Sequence, residues 1–393
     1  MLDITVSSEL ELGAVAAELA LCLPASAFVL LTGDLGAGKT AFARAAIRAM
    51  VGDNALDVPS PTFNLVSFYD TSRGPVYHYD LYRVKQADEL DELGMEDAAS
   101  ARAAFIEWPD RMGGRVPRHV PIVRVTITSR GSTERRIVID SSDCGIMPDT
   151  AFIFAAGLGT RMRDRVRDTP KPLVPVAGRP TLAYIFDDLA QAGVKRLFIN
   201  THYLPEKIDT FVDQYRGTFD VTTLYEPTLL ETGGGMLAAL PRLDRDVMIA
   251  INGDALIMNG RIPFLNRLAM AFDPAKMDIL LLLFPVDQPS ITPNVGDYFI
   301  DPHGRLTRSL DLTGTHMFAG ARVFHTRVFD DAHSGIFSFR DQMDAAQAQG
   351  RLYGLVHTGI WHHISTPEDV DAVSAAIKDD SPSVSLMHKI QVG

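Results

Sequence analysis

Cysteine is nearly absent. Cys22 and Cys144, the two in 393 residues, stand far apart and outside any Cys-x-x-Cys spacing, so neither a disulfide framework nor a zinc ligand set is expected. Long apolar runs are missing too: the longest, Ile279–Pro285, falls far short of the roughly 18 residues of a spanning helix. The start, Met1-Leu2-Asp3-Ile4-Thr5-Val6, has no basic stretch before an apolar run, and acidic Glu9 and Glu11 follow, so it does not read as a signal peptide. A cytoplasmic protein with no membrane partner is expected. Basic excess is lacking throughout. Residues 1–146 hold 14 Lys+Arg against 20 Asp+Glu and residues 147–393 hold 23 against 29, so each part contributes −6 to the net charge of −12. Direct, strong nucleic-acid binding is not expected, because such surfaces need cations to release phosphate counterions.

What is present is an ordinary globular composition, 46% hydrophobic and 22% charged, in a chain long enough for two domains. Short β-like runs alternate with helical ones. Residues 27–32 and 76–82 read as strands, 41–50 as a helix, and 122–128 with 136–140 as a closing hairpin around Ser129-Arg130-Gly131-Ser132. The small, polar Ser141-Ser142-Asp143-Cys144-Gly145 marks a boundary, and Met147-Pro148-Asp149 leads into a new strand, as the start of a separate protein would. A second α/β series follows: strands 151–155, 196–200, 221–225 and 247–251, with helices 181–192, 205–215 and 233–240 between them. The expectation is two α/β domains, 1–143 and 148–380.

Near the start, Gly33-Asp34-Leu35-Gly36-Ala37-Gly38-Lys39-Thr40 follows a strand and opens a helix, the two contexts a Walker A loop requires. Gly33, Gly36 and Gly38 let the backbone wrap phosphates, Lys39 brings positive charge to the β and γ phosphates, and the Thr40 hydroxyl binds Mg²⁺. Hydrolysis further needs a carboxylate near the metal and a γ-phosphate sensor. Ser60-Pro61-Thr62, His78-Tyr79-Asp80-Leu81-Tyr82-Arg83 and Phe105-Ile106-Glu107-Trp108-Pro109 offer these. With Glu89-Leu90 and Leu93-Gly94, their order within residues 1–140 resembles the TsaE family of small P-loop ATPases. The resemblance implies a compact α/β fold, ATP as nucleotide, and action with partner proteins in the threonylcarbamoyl modification of tRNA adenosine. It further implies that Thr62 lies in a switch-like loop, Asp80 is an acid needed for hydrolysis, Glu107 is the Walker B-like metal carboxylate, and Trp108 lies near the nucleotide.

In the middle, Ala155-Ala156-Gly157-Leu158-Gly159-Thr160-Arg161-Met162 continues to Pro170-Lys171-Pro172-Leu173-Val174-Pro175-Val176-Ala177-Gly178-Arg179-Pro180. A Gly-x-Gly after a strand is shared with Rossmann enzymes; the long continuation instead resembles sugar-1-phosphate nucleotidyltransferases, with a Rossmann-like, glycosyltransferase-A-like fold. Their chemistry accounts for the residues. A sugar phosphate oxygen attacks the α-phosphorus of a nucleoside triphosphate and pyrophosphate leaves, so negative charge must be neutralised on both sides. Ala156, Gly157, Gly159 and Thr160 form the phosphate-approaching loop, Arg161 can hold the departing pyrophosphate, and Lys171 can draw the reacting phosphates together. Asp254, after the apolar run 247–251 in Asn252-Gly253-Asp254, sits where ligands gather at strand ends and is the natural Mg²⁺ ligand. Leu230-Glu231-Thr232-Gly233-Gly234-Gly235 is either a turn before a helix at 236–240 or, by resemblance, part of the pocket between nucleotide and sugar, with Glu231, Thr232, Gly233, Gly234 and Asn252 as binding residues.

Together these stretches are most similar to the MurU family of cell-wall recycling, which implies UTP and N-acetylmuramate 1-phosphate as substrates. Another base with mannose or glucose 1-phosphate, or a weakly catalytic nucleotide-sensing scaffold, remains open. Two departures stand out. Asp164 replaces the family's usual proline. Trp361-His362-His363-Ile364-Ser365-Thr366 places His363 where many relatives have a second metal-binding aspartate; a histidine there suits Mn²⁺ better than Mg²⁺, hydrogen-bonds a bound water or phosphate, or is simply structural. Mg²⁺ at both sites, and Mn²⁺ as an alternative at the second, are therefore the expected ions.

Overall fold

The computed structural model describes residues 1–117, 119–144, 147–243, 245–287 and 295–379. The chain divides into two compact units, residues 1–147 with 266–273, and 148–265 with the chain from 274 onward. Both are α/β.

The first unit runs β1 (Leu2–Val6), α1 (Glu9–Cys22), β2 (Ala27–Thr32), α2 (Lys39–Val51), β3 (Val66–Tyr69), β4 (Val76–Asp80), α3 (Met95–Ala98), β5 (Ala103–Glu107), β6 (Ile122–Arg130) and β7 (Glu134–Asp143). Its sheet has the order β1-β7-β6-β2-β5-β4-β3. Strands β4, β5, β2 and β6 are parallel neighbours, and antiparallel strands close both edges. The central strands β2 and β5 are buried and apolar on both faces almost throughout. Phe28, Leu30, Ala104 and Ile106 pack with Tyr79, Leu81, Leu90 and Met112 on one face, leaving the equally buried Val29, Leu31 and Phe105 for the other. Helix α1 packs against α2. Its Ser8 cap accepts a hydrogen bond from Glu11 N.

The ends of β4 and β7 differ from the sequence reading. Strand β4 stops at Asp80 because Leu81 N already donates to Glu107 O and Tyr82 N turns back to Asp80 Oδ1 at 3.1 Å. Strand β7 extends into the polar stretch expected as a boundary: Asp143 pairs with Ile122, and Cys144 Sγ donates to Ile122 O at 2.9 Å. Gly145 of that stretch lies outside the described residues. Both cysteines are buried, and desolvation pushes Cys22 up to about 11 and Cys144 up to about 12.

The second unit begins with β8 (Thr150–Phe154), the two-residue β9 (Pro175–Val176) and β10 (Arg179–Pro180), α4 (Thr181–Gln191), β11 (Arg196–Thr201), α5 (Pro205–Asp213), β12 (Asp220–Tyr225), α6 (Glu231–Ala239), β13 (Val247–Asn252) and β14 (Ala255–Met258). The chain then forms α7 (Phe264–Ala271), which from residue 266 groups with the first unit, and returns to the second with β15 (Ile279–Pro285), β16 (Tyr298–Ile300), β17 (Leu306–Arg308), β18 (His316–His325), α8 (Phe339–Ala348), β19 (Leu352–Val356), β20 (Ile360–His363) and α9 (Pro367–Asp379). The main sheet has the order β12-β11-β8-β13-β18-β15-β19. Its first four strands are parallel, and β18 runs antiparallel to both β13 and β15. One face packs Phe152, Met248, Leu281 and Phe324 against Met236 of α6 and Phe339 and Met343 of α8. Strands β14 and β20 form a separate antiparallel pair. Helix α6 starts at Glu231, so the Gly233-Gly234-Gly235 run lies inside the helix rather than in a turn before it. Among the described residues no helix is long and apolar enough to cross a membrane.

Candidate active sites

In the first unit the parallel register places Glu107 beside both Leu31 and Asp80 at the strands' carboxyl ends. The Gly33–Thr40 loop leaves β2 at that same edge, where open α/β sheets gather ligands. Gly33 has φ +152°, and a Cβ there would lie 2.4 Å from Ile127 O, so the turn into the loop admits no side chain. Helix α2 begins at Lys39, only 4% exposed. Its ammonium donates to Gly33 O and Asp34 O, both at 2.8 Å, and lies 3.8 Å from the centre of the Trp108 ring. Desolvation lowers the Lys39 pKa, opposed by the charges of Glu107, Asp80 and Asp34.

The hydroxyls and carboxylates form two connected groups. Thr40 Oγ1 donates to Glu107, with Oε1 at 2.8 Å and Oε2 at 3.0 Å. Ser60 Oγ and Thr62 Oγ1 meet Asp80 Oδ2 at 2.6 and 2.8 Å. Asp80 thus anchors the Thr62 loop to the sheet. The paired oxygens of Thr40 and Glu107 are the hard donors Mg²⁺ takes alongside phosphate, and they fit that ion.

His78 stands in the His78–Arg83 run with no role evident from sequence. It is fully buried, its Nε2 lies 3.0 Å from Glu107 Oε1, and its Nδ1 has no hydrogen-bond partner among the described residues. The signal was the strand period: His78 and Asp80 are two apart and share a face.

In the second unit Phe154 of β8 and Asn252 of β13 are register partners, and Gly253 N donates to Phe154 O at 2.8 Å. The strands' following loops, Ala155–Thr160 and Gly253–Asp254, therefore open at one place. Lys171 Nζ lies 2.5 Å from Asp254 Oδ2. Gly159, at φ +61°, presses on the Lys171 side chain, where a Cβ would lie 2.9 Å from Lys171 Cβ. Arg161 sits on the 3-10 turn Thr160–Val166. Strand pairing sets His363 opposite Ala255, the residue after Asp254. Desolvation is the main cause that lowers the His363 pKa; the charge of Asp254 opposes it, and those of Lys171 and Arg161 add to the lowering. Ser365 Oγ hydrogen-bonds the His363 Nε2. Asp254, Lys171, Arg161 and His363 thus sit within electrostatic reach of one another. No three His, Cys, Asp or Glu side chains form a metal-holding group among the described residues. One carboxylate with a neighbouring imidazole instead fits an ion carried in largely by nucleotide phosphates.

The glycine run inside α6 is closely packed. Gly233 and Gly234 N–H groups both donate to Phe337 O, at 2.9 and 3.1 Å, and a Cβ on Gly234 would lie 2.2 Å from Gly335 O. Glu231 is exposed at φ +58°. Thr232 accepts from Phe339 N at 2.9 Å and, with Asn252, lines a cavity of about 300 Å³. Two further residues were missed because their contacts are non-local. Asn200 Oδ1 accepts from Ala155 N while its Nδ2 donates to Glu226 Oε1, and Glu226 Oε2 accepts from Leu230 N. This buried bridge ties the start of the glycine loop to the start of α6.

Two family models match successive parts of the chain. Residues 6–137 match the family model of the threonylcarbamoyl adenosine biosynthesis protein TsaE, and residues 151–305 that of the MobA-like NTP transferase domain. A TsaE of Rickettsia felis is 36% identical over 42% of this chain and 93% of its own length. N-acetylmuramate alpha-1-phosphate uridylyltransferases of Neisseria meningitidis and Caulobacter vibrioides are 30% and 29% identical, over 55% and 59% of this chain and 93% and 98% of their own lengths. A UDP-glucose pyrophosphorylase solved with UDP-glucose, 13% identical, superposes with a TM-score of 0.51 over 59% of this chain and 99% of its own, and shows the shared fold. The chain is an enzyme fused from two families, a TsaE P-loop ATPase followed by a MurU-like sugar-1-phosphate nucleotidyltransferase.

Proposed function

We propose that the first unit hydrolyses ATP in support of the proteins that install threonylcarbamoyladenosine in tRNA. In the second unit, we propose transfer of the uridylyl group of UTP to N-acetylmuramate 1-phosphate with release of pyrophosphate. For the first reaction, the Gly33–Thr40 backbone and Lys39 hold the β and γ phosphates, Thr40 and Glu107 hold Mg²⁺, and Asp80 fixes Thr62 where the γ-phosphate would be sensed. For the second, Lys171 draws the reacting phosphates together and Arg161 takes the charge of the leaving pyrophosphate. The Ala156–Thr160 loop lets the backbone approach, and the displacement is direct, with no covalent enzyme intermediate. Asp254, with His363 beside it, would hold the divalent ion, which neutralises phosphate charge at both sites.

The observation that carries the uridylyl reading is that the match to the N-acetylmuramate 1-phosphate enzymes covers nearly their whole length; the Lys171–Asp254 pair at the strand ends supports it. His363 favours a second reading, a nucleotide-binding scaffold of weak activity. Pyrophosphate release from each nucleoside triphosphate with a panel of sugar 1-phosphates, in Mg²⁺ and in Mn²⁺, separates the two. Release confined to UTP with N-acetylmuramate 1-phosphate is expected, and no release under any condition would establish the scaffold. For the first unit, ATP turnover that survives Lys39→Ala or Asp80→Ala would overturn the assignment.

A further inference from the structure

Arg322 lies in the middle of β18, hydrogen-bonded in register between Ala250 of β13 and Leu281 of β15, and is 3% exposed. No carboxylate pairs with it among the described residues. Its Nη2 donates to Asn252 Oδ1 at 2.8 Å, its Nη1 reaches only Met343 Sδ at 4.0 Å, and its Nε has no partner. The guanidinium is enclosed by the rings of Phe339, Phe318 and Phe154, 4.6 to 5.2 Å away. Desolvation lowers its pKa to about 9, so the group stays charged at neutral pH. A cation without a counter-ion costs several kcal/mol to bury. Aromatic faces offset part of that cost and leave N–H donors unused.

Arg322 lines a cavity of about 300 Å³, as do Arg308, Arg340, Thr232 and Asn252. Arg308 is paired with Asp344 at 2.5 Å. Asp297, the carboxylate among the described lining residues, spends Oδ2 on Phe318 N. Arg322 and Arg340 therefore leave the cavity net positive. Arg161, Lys171 and Asp254 do not line it; it adjoins their site through Asn252. A substrate whose phosphate meets Lys171 would reach the cavity with a more distant part of its sugar.

We propose that this cavity holds a carboxylate carried by the sugar of the sugar 1-phosphate, with Arg322 as its anchor and Arg340 at the mouth. The inference rests on the nucleotidyl-transfer reading above and adds a specificity-determining residue to it. The carboxylate would supply the counter-ion that the fold withholds from Arg322, in the planar geometry a guanidinium edge matches. The lactyl acid of N-acetylmuramate 1-phosphate is such a group.

The test compares kcat/KM of the full-length protein for N-acetylmuramate 1-phosphate and for its neutral carboxamide, with UTP. The acid should be preferred on the order of 10²-fold, the scale of an unpaired buried charge, and Arg322→Gln should collapse that ratio toward unity. Arg340→Ala, at an exposed position, should reduce it less. Equal use of acid and amide by the unaltered protein would overturn the proposal, as would an Arg322→Gln variant that loses both equally, the mark of a phosphate anchor or a purely structural arginine. If Arg322→Gln does not fold, the ratio in the unaltered protein decides. If neither N-acetylmuramate compound reacts but other sugar phosphates do, the muramate reading fails by itself. Glucuronate 1-phosphate against glucose 1-phosphate then tests the cavity: preference for the acid supports it, and indifference overturns it.

Discussion

His78 and Glu107 are 29 positions apart, and neither attracts notice in its own strand. Side by side, the imidazole fixes one oxygen of the carboxylate that also takes the Thr40 hydroxyl. Replacing His78 with Asn should free that carboxylate to rotate. ATP turnover is expected to fall roughly 10- to 100-fold, the range for residues that orient a metal ligand, with kcat carrying the loss while nucleotide affinity and the melting curve stay close to the original. Asp188 of α4 gives a different residue-scale expectation. Enclosure by protein pushes its pKa up to about 8, partly offset by a 2.7 Å hydrogen bond from Asn259 Nδ2. An acid whose folded pKa is raised binds its proton more tightly in the fold, so its contribution is full below the ordinary carboxylate range and is lost as pH rises toward 8. Asp188→Asn keeps an acceptor for Asn259 and should flatten the decline of Tm between pH 4 and 8, measured by thermal melts across that range. At this scale the sequence was legible where chemistry is local. Glycine spacing and the Lys39-Thr40 pair identify the loop directly, whereas His78, Asn200, Glu226 and Arg322 acquire meaning only from partners on other strands. Arg322 did leave a trace, a single charge inside the otherwise apolar stretch 317–324.

Helix α6 shows the same limit for an element. Intrinsic propensity argues against opening a helix on three glycines, which is why a turn looked plausible there. Tertiary packing overrides it: the Phe337 carbonyl takes two of the helix's first N–H groups, and the 335–338 backbone approaches closely enough to exclude side chains. Gly234→Ala should therefore destabilise the second unit by about 1–3 kcal/mol despite alanine's better helix propensity. A lower Tm together with reduced pyrophosphate release would confirm it; an unchanged Tm would mean that the neighbouring backbone yields freely. Strands 27–32, 150–154, 196–201 and 247–252 were legible because parallel, doubly buried strands are short apolar runs. The outer part of the second sheet was not, since β18 pairs antiparallel with β13 and β15 across long intervening segments.

Over the whole molecule, each unit carries its own glycine loop, lysine and carboxylate, and the two reactions break different phosphate bonds. Lys39→Ala is accordingly expected to abolish ATP turnover while leaving pyrophosphate release unchanged, and Asp254→Asn to do the converse. Parallel assays of both activities on both variants check this, and loss of both activities in either variant would show a shared requirement. The two lysines have something else in common. Lys39 already rests on two carbonyl oxygens of its own loop, and Lys171 on the carboxylate of Asp254. A phosphate claiming either lysine must displace a protein oxygen, so nucleotide capture is an exchange of oxygen partners rather than the filling of a charged gap. Affinity at each site is then a small difference between two favourable arrangements, and it can be tuned through the incumbent oxygen as readily as through the lysine itself.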